Sequence, residues 1–155
     1  MAELKTFYFD LTHAIKVHDM IIDISGGRPG HDPQKVQMLD ATLEHIQNDL
    51  YYPTFLDKIA HLLYSINKSH AFIDGNKRSS LALSAYFLQL NGYDYCVTDF
   101  IYRMENIVVW VADNKIDKDL LKDIIEDIIM EQERESTQLA LIHALSTEES
   151  TEEDE

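Results

Sequence analysis

Apolar residues recur along most of this chain at helical rather than alternating spacing, and polar or turn-forming clusters divide them into segments. Asp10 or Thr12 caps a predicted helix through about Asp23, with Leu11, Ile15, Met20 and Ile22 on or near its buried side. Val36, Leu39, Leu43 and Ile46 mark a second helix, entered from Pro33 at its first turn. Leu50-Tyr51-Tyr52-Pro53 connects it to a third, capped by Thr54, with Leu56, Ile59, Ala60, Leu63 and Ile66 on one face. A fourth run, 77–91, is apolar nearly all round and is expected to be the central, most buried helix; Asn91-Gly92 stops it. Tyr93 to Val97 reads as extended. Asp99 opens a helix to about Ala112 with Ile101, Met104, Ile107, Val108 and Val111 inward, and a last one covers 117–131. No long alternating run predicts a sheet. The expectation is an all-α, compact single-domain bundle of about six helices.

Two stretches break the periodicity. Residues 25–33 hold three glycines and two prolines in nine positions, which predicts a loop, turn or short hairpin. Residues 70–78, His-Ala-Phe-Ile-Asp-Gly-Asn-Lys-Arg, lie between two helical runs and combine an imidazole, a carboxylate, a glycine, an amide and two cations. Gly75 permits positive φ, and Asp74 and Asn76 are residues that cap a following helix. Amides at a helix N-terminus form an anion site, and Lys77 and Arg78 add positive charge where the helix dipole prefers acids. Taken singly, each residue has a plainer reading: His70 as a helix C-terminal residue, Asp74 and Asn76 as caps, Lys77 and Arg78 as solvated surface. Together they predict a phosphate-handling site.

Composition narrows the class. The 155 residues suffice for one domain with a core. No 18-residue apolar run predicts a membrane span, and the N-terminus lacks a signal-peptide pattern. Cys96 is the one cysteine, which fits a reducing, cytoplasmic setting. The net charge of −15 argues against direct nucleic-acid binding. It is uneven: residues 131–155 carry −8 and the first 130 carry −7. Residues 131–145 read as a helical extension and 146–155 as a disordered acidic tail. His18-Asp19, with His45, His61 and His70, opens a second reading as a metal-dependent phosphohydrolase, which needs those side chains to converge.

The stretch 70–78 resembles the signature of the Fic/Doc (Fido) family, His-x-Phe-x-Asp/Glu-Gly-Asn-Gly-Arg, and most closely its death-on-curing branch. Lys77 stands where AMP-transferring members have a second glycine, and Leu81 where many have a second arginine. Val17-His18-Asp19 followed by Gly26-Gly27-Arg28-Pro29-Gly30 is similar to that branch too. Ala71 departs from the usual proline, and Gly75 is the Fic-type residue where the death-on-curing branch has alanine. The similarity runs over residues 7–130.

The resemblance implies a fold and a chemistry. His70 is the expected general base and Arg78 the residue that stabilises developing phosphoryl charge. Gly75, Asn76, Lys77 and Arg78 are expected to bind the nucleotide, and Asp74 to hold Mg²⁺ bridging its phosphates. Phe72 is expected to anchor the loop. Gly26, Gly27, Arg28, Pro29 and Gly30 correspond to a flap that docks the target segment. ATP is the expected co-substrate. The expected activity is a toxin's transfer of the γ-phosphate to a serine or threonine of a protein, by similarity a translation elongation factor; AMP transfer is the alternative, and a silent nucleotide- or partner-binding module a third. The inhibitory Ser/Thr-x-x-x-Glu-Gly/Asn motif of self-inhibited members is absent, which favours a separate antitoxin. An acidic tail folding back on Lys77 and Arg78 is a further expectation, beside the plainer one of a solubilising tail. The sequence does not fix the oligomeric state.

Overall fold

The computed structural model describes the backbone of residues 5–153 and the side chains of residues 5–146. Seven helices follow in order: α1 Leu11–Ser25, α2 Lys35–His45, α3 Phe55–Ser69, α4 Asn76–Leu90, α5 Val97–Ala112, α6 Lys118–Ile129 and α7 Glu135–Glu153, with a 3-10 turn at Asp94–Cys96 before α5. Among the described residues no strand forms beyond one isolated antiparallel bridge, His31 to Phe72.

Three helix starts follow the capping chemistry of the sequence. Asp10 accepts the His13 N–H, Asp117 accepts the Leu120 N–H, and Thr54 with Asp57 forms a reciprocal capping box. The helix α3 packs against α2, α4, α5 and α6 and is the centre of the bundle; α4 packs against α1, α3 and α5. The expectation that α4 is the central helix is corrected here. The two helices bury seven residues each, but α3 presents Ile59, Ala60, Leu62, Leu63 and Ile66 to neighbours on several sides, whereas α4 gives part of its buried surface to Ser79, Ser80 and Ser84. Phe87 stacks on Phe55 at 5.0 Å, and Phe55 on Tyr93 at 4.6 Å, closing the core at the opposite end of α4 from residues 70–78.

Other expectations shift. Tyr93 to Val97 is not extended: the chain turns through the 3-10 segment straight into α5, because Cys96 buries itself against the core. Ile101 and Met20 face outward, at 39% and 54% exposure, since each sits off the stripe set by its neighbours (Phe100 and Met104; His18 and Ile22). The helix α7 runs past Ser146, where the sequence predicts the tail, to Glu153; it propagates from the turns formed by the Ala- and Leu-rich residues 139–145, and four of residues 147–153 are Glu, a good helix former. Asp154 and Glu155 lie outside the described residues. Among the described residues no helix is long and apolar enough to cross a membrane.

One buried charge has no signal in the apolar pattern. Lys58 is 2% exposed and donates to the Ile46 carbonyl at 2.6 Å and to Asp49 at 2.7 Å, tying the end of α2 to α3. Burial opposes the ammonium, but Asp49 and then Tyr8 outweigh it, so its pKa is raised.

Candidate active site

The site forms where the α3–α4 turn meets the end of α1. His70 caps α3 in the left-handed region (φ 52°, ψ 34°), which turns the chain out of the helix and leaves the imidazole exposed. Ala71 and Phe72 then go inward, at 0% and 2% exposure. Phe72 stacks flat on the buried ring of His18 at 3.8 Å and 6°. It anchors the loop, as the resemblance implies.

Asn76 does not cap α4. Its side chain folds back on the loop, accepting the Phe72 N–H at 3.1 Å and donating to the Phe72 carbonyl at 2.9 Å. Gly75 takes the N-cap position in the left-handed region, φ 81°, and no side chain caps the helix. The first N–H to find a helical acceptor is that of Ser79, on the Gly75 carbonyl. The amides of Asn76, Lys77 and Arg78 therefore have no acceptor inside the helix. The sequence expects an anion site here, and the uncapped helix leaves these three amides open to one.

Asp74 is tied on both oxygens. Oδ1 accepts the Gly75 N–H at 2.8 Å and Oδ2 the Arg28 N–H at 3.2 Å, with the Arg78 guanidinium 3.9 Å away. The Arg28 and Gly75 amides, then the charges of Arg78 and Arg28, hold its carboxyl below the usual carboxylate range. Among the described residues no group of three or more His, Cys, Asp or Glu side chains is placed to enclose a metal. A single carboxylate with open lone pairs, beside an anion site, still fits a magnesium ion held mainly by phosphates and water.

Residues 25–33 form a loop, not a hairpin, laid over the motif. The Ile73 N–H donates to the Gly30 carbonyl at 3.1 Å and the Asp32 N–H to the Ala71 carbonyl at 2.8 Å. Arg78 reaches across, donating to the Ser25 hydroxyl and, at 3.0 Å, to the Gly26 carbonyl. The glycines allow this approach. A Cβ at Gly27 would stand 2.9 Å from Asp74 Oδ2 and 3.1 Å from Arg78 Nη2, and Gly27 has φ 126°. A Cβ at Gly30 would stand 3.0 Å from Ile73. Gly26, Gly27, Arg28 and Gly30 are thus brought onto Asp74, Arg78 and the 71–73 backbone; Pro29 is exposed and makes the outer bend. Lys77 is exposed at the start of α4.

Three participants were not singled out from sequence for these contacts. Ser25 holds Arg78. Ile22 packs beneath Gly27 and Gly75, its Cδ1 within 3.1 Å of where either Cβ would stand. His18 bonds the Asp74 carbonyl at 2.7 Å. The phosphohydrolase reading fails on the same geometry: His18 is committed to that carbonyl and Asp19, His61 to Lys118 and Ser65, and among the described residues no metal cluster joins them.

The Fic/DOC family profile matches residues 8–88. "Toxin Doc" of Mycolicibacterium smegmatis (strain ATCC 700084 / mc(2)155) is 36% identical over 86 residues, which make up 53% of this chain and 66% of that protein, a little under two thirds of its length. The matched span takes in α1, the flap, α2, α3, the 70–78 loop and nearly all of α4. On that match, carried by the elements that build the site, the chain belongs to the Fic/DOC family.

Proposed function

We propose that this chain is a Doc-like toxin that transfers the γ-phosphate of ATP to a serine or threonine hydroxyl of a protein. The observation that carries the reading is the uncapped α4 N-terminus with Lys77 and Arg78 on it and Asp74 beside it. Three free amides and two cations favour a multiply charged anion such as a nucleotide's phosphates. His70, exposed and held outward by its left-handed backbone, takes the proton from the target hydroxyl. The hydroxyl oxygen bonds to the γ-phosphorus, the bond to the β–γ bridging oxygen breaks, and ADP leaves with that electron pair. Arg78 and the α4 amides stabilise the charge spread over the phosphoryl oxygens. Asp74 would hold a magnesium ion together with the phosphates, and the ion would supply further neutralisation of that charge. The flap aligns the target segment through its exposed backbone edge.

The choice of the γ-phosphate rests on Lys77, where a glycine would leave a wider nest. Gly75 favours a second reading, AMP transfer, because it is the Fic-type residue and adopts φ 81°, a conformation strained for alanine. By the family resemblance, a separate antitoxin restrains the chain and the target is a translation elongation factor. The test uses ATP labelled at the α- or γ-phosphate, Mg²⁺ and a bacterial lysate, with His70→Ala as control. Label from γ-ATP alone, lost in the variant, supports the kinase reading. Label from α-ATP sinks it and leaves AMP transfer; no label from either sinks both.

A further inference from the structure

His18 is fully buried, 0% exposed, yet lies on α1, more than fifty residues from the loop it serves. Its Nε2 stands 2.7 Å from the Asp74 carbonyl oxygen and its Nδ1 3.2 Å from Asp19 Oδ1. A carbonyl only accepts, so Nε2 carries the hydrogen that joins them. The ring is fixed by its stack on Phe72 and by the Asp19 carboxylate, whose side chain is 61% exposed.

We infer that His18 is a positioning residue whose Nε2–H, bonded to the Asp74 carbonyl, sets the plane of the Asp74–Gly75 peptide and so aims the Gly75 N–H at the Asp74 carboxylate. In a trans peptide the C=O and N–H point to opposite sides. Holding the carbonyl against α1 leaves the N–H facing the site, where it meets Asp74 Oδ1 at 2.8 Å. Gly75 has no side chain to resist a flip of that peptide, and glycine takes either sign of φ readily. A flipped peptide would present a carbonyl oxygen to the anion site and release the carboxylate. His18 blocks that alternative. The inference rests on the proposed function only for the identity of the bound anion.

His18→Gln and His18→Met have similar size and flexibility, and only glutamine donates a hydrogen bond; both lose the stack on Phe72. The residual dipolar coupling of the Gly75 N–H in ¹⁵N-labelled full chain reports the vector's direction. We expect it near the wild-type value in His18→Gln and displaced in His18→Met, with Gly92 unmoved in both. Affinity for magnesium·ATP is expected to stay within about threefold of wild type in His18→Gln and fall about tenfold in His18→Met. If His18→Met does not fold, His18→Phe, which keeps a ring against Phe72 without the donor, replaces it. Equal couplings and equal affinities in the glutamine variant and the donor-less one overturn the inference even where wild type transfers phosphate. A displaced coupling in a protein whose wild type transfers no label sinks the proposed function and leaves the peptide assignment standing.

Discussion

Gly27→Ala tests whether the flap is held down by the contacts described. At φ 126° an alanine is strained, a backbone penalty of about 1–3 kcal/mol. Its Cβ would also stand 2.9 Å from Asp74 Oδ2, 3.0 Å from Ile22 Cδ1 and 3.1 Å from Arg78 Nη2. The side-chain ends can retreat a few tenths of an ångström, but Asp74 then loosens from the Arg28 amide and Arg78 from Gly26. Against this stand the backbone bonds Ile73 to Gly30 and Asp32 to Ala71, each worth about 0.5–1.5 kcal/mol net. Penalty and hold are of similar size, so the substitution shifts the docked flap toward an open one rather than unfolding the domain. An added cost of 1–3 kcal/mol corresponds to roughly five- to 150-fold more open state. Hydrogen exchange at the Ile73 and Asp32 amides reads it directly, and we expect acceleration in that range. Gly92→Ala is the control: φ is 87°, nothing lies within 4 Å of its Cβ, and it is remote from the flap. Wild-type exchange at Ile73 and Asp32 in Gly27→Ala would refute the docking argument.

His61 stands 2.6 Å from the Lys118 ammonium, and burial, then Lys118, then His45 lower its pKa from 6.5 to about 4. Unfolded, it takes a proton near pH 6.5; folded, only near 4, so stability falls as pH drops across that window. The full shift corresponds to about 3.4 kcal/mol, and for this half-exposed ring we expect about 1–2 kcal/mol after solvent screening. Urea midpoints from pH 7 to 4 should show that slope, and His61→Leu should flatten it. Thr54→Ala removes half of the α3 capping box and should cost about 1 kcal/mol by urea denaturation, with m unchanged; no change would mean that α3 is held by packing alone. Asn76→Ala deletes both bonds to the Phe72 backbone and should cost about 2–3 kcal/mol by the same measure; a loss under 0.5 kcal/mol would mean the loop is held by Phe72 burial alone. Arg78→Lys keeps the charge but not the two-pronged geometry, and we expect at least tenfold slower transfer; an unchanged rate would remove Arg78 from the chemistry.

The helices were legible because their apolar stripes and caps are local: Asp10, Thr54 and Asp117 sit where the pattern predicts starts. Met20 and Ile101 were misread because a hydrophobic residue one position off a stripe looks the same in sequence as one on it. The turn through Asp94–Cys96 has no signal distinguishing it from an extended segment of three residues. At the site, residues 70–78 were legible as a group because their chemistry conflicts with simple capping. The use of Asn76 was not, since an asparagine beside a helix start looks like a cap whether it bonds forward to the helix or back to Phe72. His18 and Ser25 were invisible in these roles because their partners, Asp74 and Arg78, lie more than fifty residues away.

Two charged groups of the site are engaged by the flap in the structure described, while the amides of Asn76, Lys77 and Arg78 are not. Arg78 donates from Nη1 to Ser25 and Gly26, and Asp74 accepts the Arg28 amide while the guanidinium lies 3.9 Å off. A phosphate entering at the α4 N-terminus competes with the Ser25 and Gly26 oxygens for Arg78, and charge-assisted bonds to phosphate are the stronger. A cation joining Asp74 competes with the Arg28 amide. If the proposed function holds, phosphate binding and flap position are coupled, and by linkage the coupling is reciprocal: whatever opens the flap frees Arg78 for phosphate, and phosphate on Arg78 loosens the flap. On that reading Arg78, through its bond to Gly26, shares the hold on the flap with the backbone bonds of Ile73 and Asp32. It would then stand between a bound nucleotide and a docked target, so that binding of either would change the affinity for the other.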